Sequence, residues 1–491
     1  MFSYLDKFYF IENKIKIHRY KYFFFFFIIS FSSFLYVDYF SFTFLGILVS
    51  FILFLILVAL SVYKLSFGIV TTLFVSLYIN EFPRDILNLY SDIQVTNSVQ
   101  YNVISSVIVL KLTLLNLLFI FNSFLSLLKL WKNKFNKMNL LLVIYVVIGM
   151  TSLLVSLLFY ENTIFKSIIT DLKFPIFLLF GLIQGLYLYK NSAIHLVLIM
   201  ILVLPIFGGI RALIFITNDI YFMTPKFYFM STSMMALVIL SYLIISKNKS
   251  IYSYIIFRVP LYISLIEPSR GFIIMASIVL SFSFIVSFFK KGNNNISLFI
   301  MLELFLILMG ALLTLLVLNP DIYGFLIWKL DVFNELLSAS NELSGSGKVR
   351  IYELLNVHRE NMDSIYQYFF GKGFGGFYSF NYYPMNDVET LDLKSFSNDQ
   401  LQTNMYYTTH SFSTYMLLKY GMVGLVIYVL IPIFIIWNSF KHTIKNNLHI
   451  IFLVFTILSI YTYYWRLEIT VMIGIFFAFY NEFKRKKLHE I

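Results

Sequence analysis

The 491-residue sequence contains no cysteine, and only 13% of its residues are charged. The lack of cysteine excludes disulfide bonds and thiol chemistry. The sequence also has no internal repeat, no glycine-rich phosphate loop and no cluster of residues at metal-ligand spacing. These absences leave no residues for ATP-driven chemistry on the cytoplasmic side, and they predict neither a metal nor a cofactor.

Apolar residues dominate the composition instead, because 59% of the chain is hydrophobic. No soluble domain can hide that much apolar surface, so the sequence predicts a polytopic membrane protein with the lipid bilayer as a partner. The net charge is +12, but the lysines and arginines lie in short runs between apolar segments. That distribution is typical of topology signals, and it does not predict a nucleic-acid partner.

The apolar residues are arranged in segments of the length that crosses a bilayer as a helix, roughly 17–25 residues. The predicted fold class is therefore an all-α polytopic membrane protein with about 12–14 transmembrane helices and one large extracytoplasmic loop. The candidate spans are 21–37, 40–62, 65–80, 103–128, 139–160, 172–189, 193–210, 223–246, 251–266, 271–289, 296–318, 412–437, 447–463 and 467–482. Twelve spans are the alternative to fourteen, because 65–80, 251–266 and the last two segments are short.

The basic residues predict the orientation of these spans. The loops on the side of the N-terminus hold 21 lysines and arginines, whereas the short loops on the opposite side hold seven. Basic loops stay in the cytoplasm, so both termini are predicted to be cytoplasmic. We therefore divide the chain into transmembrane helices at 1–318 (about 11 spans), a partly helical extracytoplasmic loop at 319–411, and C-terminal helices with a basic tail at 412–491.

The large loop interrupts the apolar pattern and concentrates the polar residues. Residues 321–409 carry 11 acidic residues, six lysines or arginines and no apolar run long enough to cross a bilayer. Loops of this length inside a compact protein are usually functional or disordered. Its aromatic residues and the helical periodicity at 352–368 favour a folded, water-facing cap.

Three arginines lie at the predicted outer membrane face: Arg211 in GGIRAL, Arg270 in EPSRGF and Arg350 in the large loop. An arginine at this boundary is costly unless it meets water, a carboxylate or a phosphate. Its planar fork binds phosphate oxygens through two parallel hydrogen bonds. A structural ion pair, for instance Arg270 with Glu267, is the alternative for any one of them. Three on one face favour an anionic ligand.

Two other features are candidate contacts to a substrate. Arg258 lies within the segment 251–266 beside Pro260, and ionisable residues inside a membrane are functional candidates by default. The alternative is that this segment is partly interfacial. The run GKGFGGF contains Gly371, Gly373 and Gly375, whose spacing allows main-chain N–H groups to turn toward a bound anion. A tight turn that ends the preceding helix is the alternative for this run.

His410 is the candidate general base, because it lies at the outer end of the span 412–437 and histidine exchanges a proton near neutral pH. The alternative is a polar neighbour of a helix start. His358 competes for the same role, but its charged neighbours in VHREN indicate a solvated helix face. Asp387 and Glu389 form an acidic pair without an evident third ligand, so no metal site is predicted.

The order of these motifs resembles the O-antigen polymerase and O-antigen ligase superfamily of bacterial surface-polysaccharide assembly. The chain has a GIRA arginine, an SRG at the start of a span and a long external loop. That loop contains G-x-x-R, G-x-G-F-G and a His-Ser pair before the next span, which continues with G-x-x-G. The resemblance covers the topology and the motifs from Arg211 to Gly424, and Ser411 departs from the commoner asparagine after the histidine.

The resemblance implies an integral-membrane glycosyltransferase of the bacterial cytoplasmic (inner) membrane, acting on oligosaccharides carried on undecaprenyl pyrophosphate without a nucleotide-sugar or a required metal. It implies catalytic roles for Arg270, Arg350 and His410, and a weaker assignment for Arg211. A chain-length regulator is the kind of assembly protein that would be a further partner. The favoured activity is polymerisation of repeat units into O-antigen or capsule. A ligase that transfers the finished glycan to a lipid A core and a flippase for lipid-linked oligosaccharides are the alternatives.

Overall fold

The computed structural model describes the residues that carry most of the predicted spans and much of the large loop. The described residues are 21–22, 24–33, 44–79, 107–109, 112–131, 149–157, 165–217, 230–246, 256–257, 261, 276, 278–283, 286–287, 345–384, 398–426, 451, 454 and 467–489.

Helices form most of the described chain. They are α1 Phe44–Tyr63, α2 Leu65–Ile79, α3 Leu114–Trp131, α4 Phe165–Lys190, α5 Ile194–Thr217, α6 Met230–Ser246, α7 Gly345–Met362, α8 Ile365–Phe370, α9 Asn398–Thr403 and α10 Leu467–His489. Residues 24–32, 149–157, 278–283 and 412–426 are also helical. Two short strands, β1 Val107–Val109 and β2 Leu112–Thr113, pair antiparallel before α3.

Three described helical stretches are long and apolar enough to cross a membrane: Phe44–Tyr63, Ser167–Lys190 and Ile194–Arg211. Shorter apolar helices are present at Leu65–Ile79, Leu114–Leu130, Thr232–Ile245 and Leu467–Tyr480. These helices agree with the predicted class of an all-α membrane protein. The number of spans and their orientation stay predictions.

Four predicted span boundaries differ from the structure, and one of them is the end of the span 467–482, because α10 continues to His489. The span 103–128 is wrong at its start, because β1 and β2 precede α3 and the helix begins at Leu114. The valines and isoleucine of β1 are β-branched and favour an extended strand. Helix α4 begins at Phe165, before the predicted start at 172, and α5 continues past 210 to Thr217. Polar residues lie at these helix ends, and for that reason the sequence predicts loops there.

By packing, the chain forms two compact units. The first comprises Met1–Asn139, Ile176–Asn294 and Ile435–Ile491, and the second comprises Leu140–Pro175 and Asn295–Phe434. These units divide the chain by contacts, whereas the three regions of the sequence analysis divide it by topology. The regions 1–318, 319–411 and 412–491 therefore stay a prediction.

Small residues bring helices together in the first unit. A methyl group added at Gly181 of α4 would overlap the main chain of Val471 in α10, and one added at Gly474 would overlap that of Leu178. Four residues after Gly181, Gly185 meets the same helix. Close approach at residues four apart is a common way to pack helices where lipid removes the hydrophobic driving force.

The second unit contains the described part of the large loop. Tyr378 and Tyr406 form an antiparallel bridge with main-chain hydrogen bonds of 3.1 and 2.9 Å, which joins the residues after α8 to those before the 412–426 helix. A small core surrounds this bridge: Val349, Val357, Tyr378, Phe380, Tyr406, Leu417 and Leu418. This packing holds α7 beside the chain that leads to His410.

Candidate active site around His410

Glu353 binds His410 at two points. Its Oε1 lies 2.7 Å from Nδ1 of the His410 ring, and its Oε2 accepts the main-chain N–H of His410 at 2.8 Å. The Glu353 side chain is fully buried, whereas the His410 side chain is 26% exposed. An ionised carboxylate only accepts hydrogen bonds, so the proton of a neutral imidazole lies on Nδ1 and its lone pair on Nε2. A buried acid thus orients the ring.

Tyr378 completes this cluster. Its hydroxyl donates to Oε1 of Glu353 at 2.6 Å. Burial of the phenol, followed by the negative charge of Glu353 and the hydrogen bond to it, raises the pKa of Tyr378 well above its ordinary value of 10.0. The phenol therefore stays protonated and keeps donating. The carboxylate of Glu353 accepts three hydrogen bonds in all, which offset the cost of burying its charge.

Ser411, and not His410, caps the helix at 412–426. The main-chain N–H of Thr414 donates to Oγ of Ser411 at 3.3 Å, which is the usual geometry of an N-cap serine. His410 is therefore the residue before the N-cap, which is the alternative considered for it, a polar neighbour of a helix start. Glu353 of α7 also binds the ring and the main chain of His410.

A second buried acid, Glu360, lies two turns along α7 from Glu353. Its Oε2 forms an ion pair with Lys372, and its Oε1 accepts both the main-chain N–H of Ser379 at 2.8 Å and the hydroxyl of Ser379 at 2.5 Å. Lys372 also donates to the carbonyl of Phe377 at 3.0 Å. Glu360 thus fixes the chain between the glycine-rich turn and Tyr378.

The glycine-rich turn follows α8 and packs against neighbouring backbone. Gly371, Gly373 and Gly375 have φ angles of 71°, 74° and 75°, a region that favours glycine. A methyl group at Gly373 would come within 2.6 Å of the carbonyl oxygen of Ser152. The N–H of Gly375 donates to Oδ2 of Asp171 at 2.7 Å. The carboxylate of Asp171 therefore binds the N–H of Gly375, one of the N–H groups considered above as candidates to bind an external anion.

Asp171 and Lys419 form a fully buried ion pair beneath this turn. Oδ2 of Asp171 lies 2.7 Å from Nζ of Lys419, which also donates to the carbonyl of Gly376 at 2.6 Å. Oδ1 of Asp171 accepts the hydroxyl of Tyr415 at 2.8 Å. Buried charges are stable only when paired and hydrogen-bonded, and this pair meets both conditions. It links α4, the glycine-rich turn and the 412–426 helix.

Arg350 lies on α7, three residues before Glu353, and is exposed. Residues three apart in a helix occupy neighbouring positions on its surface. The structure therefore brings the arginine of the G-x-x-R motif within one helical turn of the acid that binds His410. A role for Arg350 in binding an anion stays a prediction.

Arg211 has a different environment from the one predicted at the membrane face. It is buried within α5, its guanidinium lies 4.9 Å from the ring centre of Tyr78, and Nη1 donates to the Tyr78 carbonyl. A cation is attracted to the face of an aromatic ring, so this contact can stabilise the fold. The predicted role of Arg211 in substrate binding is not tested by these contacts.

Arg258 and Arg270 lie outside the described residues, so their predicted roles stay predictions. Asp387 and Glu389 lie outside them as well. Within the described part of the chain, no group of three histidine, aspartate or glutamate side chains could hold a metal ion.

The aromatic residues at 377–383 divide into two groups. Tyr378 and Phe380 are buried in the small core, where their rings pack at a centroid distance of 5.4 Å. Tyr382 and Tyr383 are exposed. Phe377 is half-buried and its ring lies 5.7 Å from that of Tyr407. Only the accessible members can contact a sugar ring.

The sequence patterns discussed above do not point to Glu353, Glu360, Asp171 or Lys419. The spacing of residues in α7 could have indicated Glu353 and Glu360. Both acids lie on the same helix face as Val349 and Val357, which are buried. Acids on an apolar helix face require buried partners. Lys419 lies inside the predicted span 412–437, and a lysine at such a position is a functional candidate. Asp171 precedes the predicted span 172–189 by one residue.

Comparisons of the chain with family models, with curated proteins and with solved structures returned no match. The proposed function therefore rests on the contacts among His410, Glu353 and Tyr378.

Proposed function

We propose that this chain is an integral-membrane glycosyltransferase that joins oligosaccharide repeat units carried on undecaprenyl pyrophosphate into a surface polysaccharide. The observation that carries the proposal is the two-point contact between Glu353 and His410, which has the geometry of an oriented general base. The resemblance of the motifs to O-antigen polymerases supplies the substrate class and the location in the bacterial cytoplasmic membrane.

In the proposed reaction, a hydroxyl of the acceptor repeat unit attacks the anomeric carbon at the reducing end of the donor glycan. Nε2 of His410 takes the proton of that hydroxyl. The bond between the anomeric carbon and the pyrophosphate oxygen breaks, and undecaprenyl pyrophosphate leaves with the electron pair. This direct displacement inverts the anomeric centre and leaves the donor glycan on the acceptor.

Different residues of the protein have different roles in this reaction. Glu353 keeps the Nδ1 proton in place and stabilises the imidazolium that forms, as a buried carboxylate does for a catalytic histidine. Arg270 and Arg350 bind the pyrophosphate, whose negative charge grows as it leaves. The position of Arg350 one turn before Glu353 supports a common site for the base and the leaving group.

The large apolar content and the three long apolar helices support the membrane location, and the basic loops support an orientation with His410 outside the cytoplasm. A lipid-linked donor exposes its pyrophosphate at that membrane surface. The predicted position of His410 at the outer end of the span 412–437 is consistent with such a donor.

The experiment is polymerisation in vitro with the full chain in lipid nanodiscs. The substrate is the lipid-linked oligosaccharide extracted from cells in which the gene for this chain is deleted. The proposal predicts a ladder of products separated by one repeat unit, with release of undecaprenyl pyrophosphate. Transfer that occurs only when a lipid A core acceptor is added would identify a ligase. Passage of intact donor across proteoliposomes without a new glycosidic bond would identify a flippase.

A further inference from the structure

The short helix α8 exposes an apolar face within the large, otherwise polar loop. Ile365, Tyr366, Phe369 and Phe370 are 69%, 63%, 44% and 41% exposed. Residues at these spacings lie on one side of a helix. Soluble proteins rarely expose a contiguous apolar patch of this kind unless it contacts a partner or a membrane.

The contacts at the end of α8 place this face near the predicted membrane. The N–H of Lys372 donates to the carbonyl of Leu418 at 2.7 Å. A methyl group at Gly371 would come within 2.6 Å of the main-chain nitrogen of Gly421. Both Leu418 and Gly421 belong to the outer part of the predicted span 412–437. Helix α8 is therefore attached to this span inside its apolar length.

The backbone beside α8 is suited to a water-poor environment. Gly371–Gly376 is buried throughout. Several of its N–H groups donate within the protein, among them Lys372 to Leu418, Gly375 to Asp171 and Gly376 to the carbonyl of Gly373 at 3.2 Å. Irregular backbone at membrane depth is tolerated when protein groups satisfy it in this way. The buried charges of Asp171 and Lys419 are likewise satisfied by each other.

We propose that α8 is an interfacial helix, whose face of Ile365, Tyr366, Phe369 and Phe370 inserts into the outer leaflet of the bilayer. Tyrosine suits the boundary between head groups and acyl chains because its ring is apolar and its hydroxyl polar. Isoleucine and phenylalanine supply the apolar face of an interfacial helix. The large loop is then not wholly water-facing, because its middle returns to the lipid. This inference rests on packing, on exposure and on the predicted span 412–437, and it does not depend on the proposed glycosyl transfer.

A lipid anchor at α8 has a mechanical consequence. The glycine-rich turn that follows α8 leads through Lys372 and Ser379 to Glu360 on α7, and Glu353 lies two turns earlier on that helix. The anchor therefore holds the Glu353–His410 pair at the level of the membrane surface. A head group that carries phosphate is presented at that level.

The test uses the absence of native cysteine. Tyr366→Cys is labelled with an environment-sensitive fluorophore in the full chain, which is then placed in phosphatidylcholine–phosphatidylglycerol nanodiscs. Leu401→Cys on α9 is the matched control, because Leu401 is also an exposed apolar residue on a six-residue helix of the same loop. Phe369→Cys provides a second position on α8 should Tyr366→Cys fail to fold.

Quenching by spin-labelled lipid is compared with quenching by aqueous iodide. The proposal predicts that the ratio of lipid to iodide quenching is several-fold larger on α8 than at Leu401. A ratio on α8 that equals or falls below the ratio at Leu401 overturns the proposal. Fluorescence is read without any substrate, so the outcome is separate from the test of glycosyl transfer.

Discussion

Glu353 and His410 are joined at both the side chain and the main chain: Oε1 of the acid lies 2.7 Å from Nδ1, and Oε2 accepts the histidine N–H at 2.8 Å. A contact to the ring alone would leave the histidine able to move with its own loop. The second bond ties the position of the main chain to α7 as well. The orientation of Nε2 is therefore set by a helix and not by a loop.

Replacement of Glu353 by glutamine should disable the base while keeping its shape. The amide NH2 group of glutamine donates a hydrogen bond to Nδ1, which favours the tautomer with its proton on Nε2. We expect the catalytic rate to fall by about two to four orders of magnitude, as expected for an incorrect tautomer or a lost general base. Donor binding should persist, so kcat falls while the donor Kd stays near the wild-type value.

Glu360→Gln is the matched control for that experiment. Glu360 is buried on the same helix, but its partners are Lys372 and Ser379 and not His410. We expect Glu360→Gln to lower thermal stability and to retain the donor Kd and most of kcat. An equal loss of kcat in both variants would show that Glu353 acts through the fold and not through His410.

The ion pair of Asp171 and Lys419 should be essential to the fold of the second unit. Asp171→Asn leaves a buried lysine without its counter-ion, and Lys419→Met leaves a buried carboxylate. Each should lower the free energy of unfolding by about 3–5 kcal/mol. The double variant should lose less than the sum, because neither charge is then left alone. Thermal unfolding in detergent checks this, and strictly additive losses would contradict the pairing.

Pyrophosphate binding predicts a sharp difference between arginine and lysine. Lysine keeps the charge but cannot grip a phosphate with two parallel hydrogen bonds. We expect Arg270→Lys and Arg350→Lys to lose most polymerisation while still accumulating in the membrane. Arg359→Lys is the control, since Arg359 is an exposed arginine on α7 that lies 5.6 Å over the Tyr382 ring. Full activity of Arg270→Lys and Arg350→Lys would remove the arginines from the mechanism.

The raised pKa of Tyr378 predicts how the free energy of unfolding changes at alkaline pH. Its pKa is raised above 10.0 in the folded chain, so its contribution to stability is complete below pH 10.0 and is lost as the pH rises through the folded pKa. Tyr378→Phe should cost about 0.5–1.5 kcal/mol at neutral pH for the lost hydrogen bond. Above pH 10.0 its stability should fall less steeply than that of the wild type.

Thermal midpoints between neutral and alkaline pH measure this difference. Tyr383→Phe, at an exposed tyrosine, serves as the control and should keep the alkaline slope of the wild type. Identical alkaline slopes for Tyr378→Phe and the wild type would show that the phenol does not titrate with unfolding.

The helical class could be predicted from the sequence because long apolar runs have few other stable structures in a bilayer. The boundaries were less predictable. Asp171 lies within α4 although it is charged, since Lys419 and Tyr415 satisfy it from a segment far along the chain. No local pattern contains that information. The hairpin before α3 was missed for the opposite reason, because Val107 and its neighbours are apolar enough for a span.

The candidate site was predictable in part. His410 was identified from its position before an apolar segment. Glu353 was not, because its partners come from the far end of the loop. The glycine spacing predicts a turn able to present N–H groups, but the anion that the Gly375 N–H binds is Asp171. Tertiary packing decides which acceptor a given N–H group binds. The spacing of residues along the chain does not.

The most direct test of the account is the rate of chain growth in His410→Asn. Asparagine retains hydrogen bonding but cannot take a proton, and the N-cap at Ser411 is untouched. Ladder formation from purified lipid-linked repeat units is measured beside donor binding. The account predicts that the rate falls by about two to four orders of magnitude while donor binding is preserved. A His410→Asn protein that builds long chains at near the wild-type rate would contradict it and leave the reaction without a base.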